Sequence, residues 1–191
     1  MYEDKSWAGL ANMLNLHAIE TAGQMFGILT GMRAETYGRD GYTRFVPPDA
    51  AYDRVKVARN LATAGPMVPP GPRAGSPEAW RYPALEDLRP VLATIPPATK
   101  VVLFFVPYHQ VLQSPAGSAD AVAWDECKRR VTAEGRGTVI DFMIPSPITT
   151  DADNYWDPLH FTTGVADRLA RDLLRASQGA TSDDYRLLRR D

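Results

Sequence analysis

Apolar positions along the chain recur at helical spacing in some segments and run together in two short blocks. Over residues 6–29, Leu10, Met13, Leu14, His17, Ala18, Thr21 and Met25 fall on one helical stripe. Ser6 stands ready as a cap, and Gly23 and Gly27 weaken the far end. A shorter helix is predicted over residues 50–64, and another over 83–94 with Leu85, Leu88, Val91 and Leu92 on one face and Ile95-Pro96-Pro97 as its stop. The run Lys100-Val101-Val102-Leu103-Phe104-Phe105-Val106, bounded by Pro97 and Pro107, has the pattern of a strand buried on both faces of a parallel sheet. A helix over 118–134, turning Ala121, Trp124 and Val131 inward, leads to a second buried strand, Thr138-Val139-Ile140-Asp141-Phe142-Met143. A last helix over 164–176 places Val165, Leu169, Leu173 and Leu174 at helical spacing.

Between these segments, Tyr37-Gly38-Arg39-Asp40-Gly41-Tyr42 reads as a turn. The Pro/Gly-rich stretch 65–77 reads as a surface loop, since repeated prolines remove backbone donors. Residues 178–191 form a charged tail expected to fray. The order helix, strand, helix, strand, helix predicts an α/β fold with a parallel sheet in a single domain spanning 1–191. Such sheets gather ligands at the carboxyl ends of their strands. Two segments lie there. Pro107-Tyr108-His109-Gln110 follows the first strand directly, and the long connection 144–162 follows the second.

Composition narrows the function classes. The 191 residues carry 21 basic and 23 acidic side chains, a net charge of −2, with no long basic stripe to hold a nucleic acid. The single cysteine, Cys127, excludes an internal disulfide and reads as a half-buried structural thiol. No run of about 18 apolar residues predicts a membrane span, and the first residues lack the pattern of a secretory signal. As written, the chain is expected in the cytoplasm.

The candidate chemistry lies in Asn154-Tyr155-Trp156-Asp157-Pro158-Leu159-His160-Phe161. An Asp three residues ahead of a His can orient the imidazole and stabilise its cation, so that the ring serves as general base to a hydroxyl. Asp157 and His160 are the candidate catalytic pair, and Tyr155, Trp156 and Phe161 are expected to wall a pocket. His109 either faces the same cleft or ties the turn after Pro107 by hydrogen bonding, the latter being favoured. His17, on the apolar side of the first helix, reads as a core residue. No recognised metal-ligand spacing occurs, and neither metal nor cofactor is expected; a metal-dependent hydrolase using His109, Asp157 and His160 is the weakest of three readings. The serines, Ser6, Ser76, Ser114, Ser118, Ser146, Ser177 and Ser182, include none in a strand-to-helix turn with small neighbours, and no Gly-x-Ser-x-Gly exists. Ser146, between two prolines, is expected to shape its loop.

These residues support a resemblance. Val102 to His109 resembles the strand and "PPxH" segment of bacterial SGNH/GDSL-like proteins, related to the acyl-transfer proteins of alginate and D-alanyl-lipoteichoic-acid type. Ile140-Asp141-Phe142, Ser146-Pro147-Ile148-Thr149-Thr150 and the run from Asn154 to Phe161 are similar to their closing part, and Asn12 to Ile19 to a mid-chain helix of the same proteins. The resemblance implies a flavodoxin-like α/β/α sandwich. It also implies Asp157 as the orienting carboxylate, His160 as the base, and an acyl ester or acylated polysaccharide as substrate, with His109, Tyr155 and Trp156 in contact with it. The strand and turn that carry the family's nucleophilic serine, and the Gly and Asn of its oxyanion hole, have no counterpart here. The expectation is therefore the C-terminal part of a serine esterase or O-acyltransferase, inactive alone, its sheet incomplete at the N-terminal side and open to association along an edge. Family members often carry an N-terminal anchor and work on the envelope side of the membrane. The rival is a non-catalytic binding or scaffold domain.

Overall fold

A computed structural model describes residues 16–34, 47, 49–69, 73–134 and 136–190. The chain divides into two compact units, residues 1–45 and 46–191. In the first, helix α1 (Leu16–Leu29) ends where Gly31 takes a φ of 72°, a left-handed conformation that glycine adopts without steric cost. Met25, expected on the inward stripe, is exposed. The expected helix start at Ser6, the side chain of His17 and the turn at 37–42 lie outside the described residues.

In the second unit the predicted helix over 50–64 is split. A 3-10 turn (Asp49–Ala51) is followed by α2 (Arg54–Thr63). Asp53 interrupts the two because its carboxylate accepts from the backbone N–H groups of Val55 and Lys56, an N-cap that restarts the helix. Helix α3 (Pro83–Thr94) has proline in its first turn, where the missing N–H costs nothing. Leu92 is buried on its inner face, whereas Val91, expected beside it, is exposed. Helix α4 (Ala119–Glu134) is capped by Ser118, whose hydroxyl accepts from Ala121 N–H at 3.1 Å. Arg130 anchors α4 by donating to the carbonyls of Pro77, Glu78 and Trp80.

Among the described residues the sheet has three strands, in the order β1 (Val102–Phe105), β2 (Thr138–Asp141), β3 (Arg186–Arg189). β1 and β2 are parallel, with Val102 opposite Thr138 and Phe105 opposite Asp141. β3 runs antiparallel on the other side of β2, with Asp141 opposite Arg186. The expected α/β fold with a parallel pair is present. The expectation of a frayed tail is overturned: residues 186–189 complete the sheet, fastened just upstream by Asp184, which accepts two hydrogen bonds from Arg168 at 2.5 and 2.6 Å.

Side chains alternate across β2, and this sets the layers. Ile140 and Phe142 join Ile148, Val165, Leu169, Ala176 and Tyr185 in the core under helix α5 (Thr163–Ser177). Asp141 turns to the opposite face, where Lys128 of α4 meets it at 2.7 Å. Helices thus cover both faces of β2. β1 departs from the expected double burial. Its residues alternate, and Phe104 remains 43% exposed, on the face of the sheet whose core lies under α5. On α5 the buried stripe is Val165, Leu169, Asp172 and Ala176, while Leu174, expected inward, is exposed.

Asp172 is an unusual member of that stripe. Burial, and then the neighbouring Asp184, push its carboxyl above the ordinary range, and its Oδ2 has no hydrogen-bond partner among the described residues. A carboxyl raised in the folded state binds protons that the unfolded state has released, so this contribution is present below the unfolded pKa and lost as pH rises through the folded one. Asp172→Asn removes the titration and keeps a donor toward Asp184. It is expected to gain about 0.5–2 kcal/mol near neutral pH, with the gain shrinking in acid. Urea unfolding at both ends of that window checks it; an unchanged midpoint at neutral pH refutes it.

Candidate functional site

The connection between β2 and α5 is built by hydrogen bonds within the loop. Ser146 and Thr149 close its first turn: Ser146 N–H donates to Thr149 Oγ1 at 2.9 Å, and Thr149 Oγ1 donates to the Ile144 carbonyl at 2.6 Å. Ser146 is buried and occupied there. Asn154 then holds the carbonyls of Pro147 and Ile148 through its amide. Tyr155 and Phe161 pair as an isolated antiparallel bridge, and Trp156 N–H donates to the His160 carbonyl at 2.8 Å. These two links make residues 156–160 a tight turn that holds Asp157 and His160 together.

Asp157 has two tasks in that turn. Its Oδ1 accepts from the backbone N–H of Leu159 at 2.8 Å and of His160 at 3.0 Å, the arrangement that a short polar side chain adopts to cap its own turn. Its Oδ2 lies 2.8 Å from His160 Nδ1. Burial pushes the carboxyl upward, but the imidazole and the two N–H groups outweigh it and hold Asp157 below the ordinary carboxylate range. The His160 side chain is 74% exposed. Its Nδ1 is engaged, and among the described residues no group bonds Nε2. The arrangement is an Asp-oriented imidazole with one nitrogen open to solvent.

The other expected site residues are placed differently. Tyr155 is fully buried and its hydroxyl donates to the Pro107 carbonyl at 2.7 Å; it joins the loop to the end of β1 and does not wall a pocket. Removing that hydroxyl strands a buried carbonyl, so Tyr155→Phe is expected to cost about 1–3 kcal/mol. Chemical denaturation checks this, and a cost within error of zero would show that the carbonyl finds another donor. His109 is buried and its Nδ1 accepts from Val111 N–H at 3.2 Å, which is the turn-tying alternative. Burial lowers its pKa, opposed by Asp151. Its backbone N–H donates to the Pro158 carbonyl at 3.0 Å, so the segment after β1 supports the Asp157 turn from below. Trp156 is half-buried, edge-on to Tyr52 with ring centroids 5.2 Å apart.

Among the described residues no three His, Cys, Asp or Glu stand close enough to share a metal ion, so His109, Asp157 and His160 are not brought together as ligands. Of the other serines, Ser118 caps α4, Ser177 donates to the Leu174 carbonyl, and Ser182 accepts from Asp184 N–H. Ser6 lies outside the described residues. No helix among the described residues is long and apolar enough to cross a membrane.

A second feature was not foreseen. At the carboxyl end of β2, on the face covered by α4, lies a cleft of about 460 Å³. Asp141 and Lys128 form part of its wall. The Lys128 ammonium donates to Asp141 Oδ2 at 2.7 Å and to the Met143 carbonyl at 2.8 Å. Burial raises the Asp141 carboxyl, and Lys128 only partly counters that. The sequence signal was Asp141 at the end of an otherwise apolar strand, since a lone buried carboxylate needs a cation.

No family model, curated protein or solved structure matches this chain.

Proposed function

We propose that the turn from Tyr155 to Phe161 presents the base of an acyl-transfer or ester-hydrolysing site of SGNH type. The supporting observation is the 2.8 Å contact from Asp157 Oδ2 to His160 Nδ1, with Nε2 left open. With Nδ1–H held by the carboxylate, Nε2 carries the lone pair. It would take the proton from a hydroxyl as that oxygen adds to an ester carbonyl, and return it to the leaving alkoxide. The hydroxyl would come from a residue outside those described. In this reading the two helix-covered faces of β2 and the parallel β1–β2 pair belong to a flavodoxin-like sandwich, to which antiparallel β3 is an addition.

The test is turnover of 4-nitrophenyl acetate. The 191-residue chain is expected to match its own His160→Ala variant. A gene product carrying any in-frame upstream segment with a serine-bearing turn is expected to turn over the ester, and to lose about 10²–10⁴-fold on His160→Ala. Turnover that survives His160→Ala would remove the assignment.

The second reading, a binding or scaffold domain without catalysis, rests on Asp157's backbone bonds. They give the pair a structural reason to exist without any chemistry.

A further inference from the structure

Opposite charges that share a wall usually pair. In the cleft beside α4 two do not. Asp125 of α4 and Arg186 of β3 both line the cleft, and both also line the adjoining depression of about 290 Å³ that continues it. Neither makes an ion pair or a side-chain hydrogen bond among the described residues, although Arg186 lies near enough to Asp141 to lower its carboxyl pKa. Asp141 itself is occupied by Lys128, which cancels its charge. The lining therefore presents one available anion and one available cation, held further apart than a salt bridge, with no net charge.

The other walls complete the picture. Trp124, half-buried and fixed by its indole N–H donating to the Met67 carbonyl at 3.1 Å, contributes an immobile ring. Met143 and Ile144 add apolar surface. Gln113 is immobilised by donating to the carbonyls of Tyr108 and Ile144. Ser114 stands in the wall with a shielded hydroxyl that has no partner among the described residues, so the polar lining is not self-satisfied. The position, at the carboxyl end of a strand in an open α/β sheet, is where such folds bind small molecules, and the volume falls in the range of small-ligand sites.

We propose that this cleft binds a small zwitterion of the α-amino acid class with an apolar side chain. Its carboxylate meets the Arg186 guanidinium, a planar donor fork suited to a carboxylate. Its ammonium meets Asp125, and its side chain lies against Trp124. A simple anion would leave Asp125 repelling it, and a simple cation would meet the same objection from Arg186. A zwitterion satisfies both. This goes beyond the His160 reading and uses none of its residues.

The experiment is a titration of the full chain followed by 1H–15N NMR on the Trp124 indole and Gln113 amide signals, with L-leucine as probe and acetate and ethylamine as single-charge controls. L-Leucine is expected to shift both signals saturably, and each control to bind at least tenfold more weakly. Arg186→Gln and Asp125→Asn, both on exposed side chains, are each expected to weaken L-leucine by about tenfold or more while leaving the remaining spectrum in place. Saturation by acetate at the same concentration as L-leucine would overturn the proposal. So would the absence of any shift with L-leucine, or binding indifferent to both substitutions.

Discussion

Lys128→Ala is expected to destabilise the protein by about 3–5 kcal/mol at neutral pH, because it leaves a buried carboxylate without its cation. Asp141 is 1% exposed, and Lys128 supplies both its counter-charge and a hydrogen bond, while also donating to the Met143 carbonyl. Arg186 lies too far off to replace it fully. The loss has a pH signature. Burial already raises Asp141 with Lys128 in place, and removing the ammonium raises it further. A carboxyl of raised folded pKa contributes stability below the unfolded pKa, near 3.9, and loses it as pH climbs through the folded value. The variant should therefore weaken steadily from mildly acid to neutral pH, more steeply than the parent. Adding Asp141→Asn to Lys128→Ala should recover much of the loss. Urea unfolding across that range tests both statements. A Lys128→Ala loss below about 1 kcal/mol, flat with pH, would mean that water reaches Asp141 freely.

The second large effect belongs to Gly137, at the entry to β2. Its φ of 90° is a conformation L side chains rarely adopt, and an added Cβ would sit 2.1 Å from the Val101 carbonyl oxygen. That oxygen accepts the Thr138 N–H, the first rung joining β1 to β2. The neighbour is backbone and cannot turn aside as a side chain would. Gly137→Ala is expected to cost about 2–6 kcal/mol, combining backbone strain with overpacking. Thermal unfolding of the variant checks it, and amide exchange should show Thr138 and Phe142, rungs at the two ends of the parallel pair, losing protection first. A variant as stable as the parent would mean that β1 shifts at little cost.

How much of this was legible depended on whether a residue's partner was near in sequence. Helix α3 was foreseen to the residue because Pro83 opens it and Ile95-Pro96-Pro97 closes it. The Asp157–His160 contact was legible for the same reason, since three residues of a turn bring the groups together without help. β3 was not. Arg186-Leu187-Leu188-Arg189 has neither alternation nor a continuous apolar run, and only the vacant side of β2 makes it a strand. Asp172 carries no such local signal; the neighbour that raises its carboxyl besides burial, Asp184, lies beyond the helix. The cleft was hidden because Lys128 and Arg186 are contributed by a helix and a strand that meet only across the sheet. Tyr155 misled in the other direction. Its aromatic character suggested a pocket wall, and its hydroxyl instead found a backbone carbonyl after β1.

β2 is flanked on one side by β1, which precedes it in the chain, and on the other by β3, which follows it after the whole of α5. During synthesis the central strand therefore spends the interval between residues 141 and 186 paired on one side only, with its other backbone edge open. Local elements such as α3 and α4 can form early, but closure of the sheet must await long-range contacts, which slow folding. A nascent chain stalled in that interval would present an open strand edge to any neighbour.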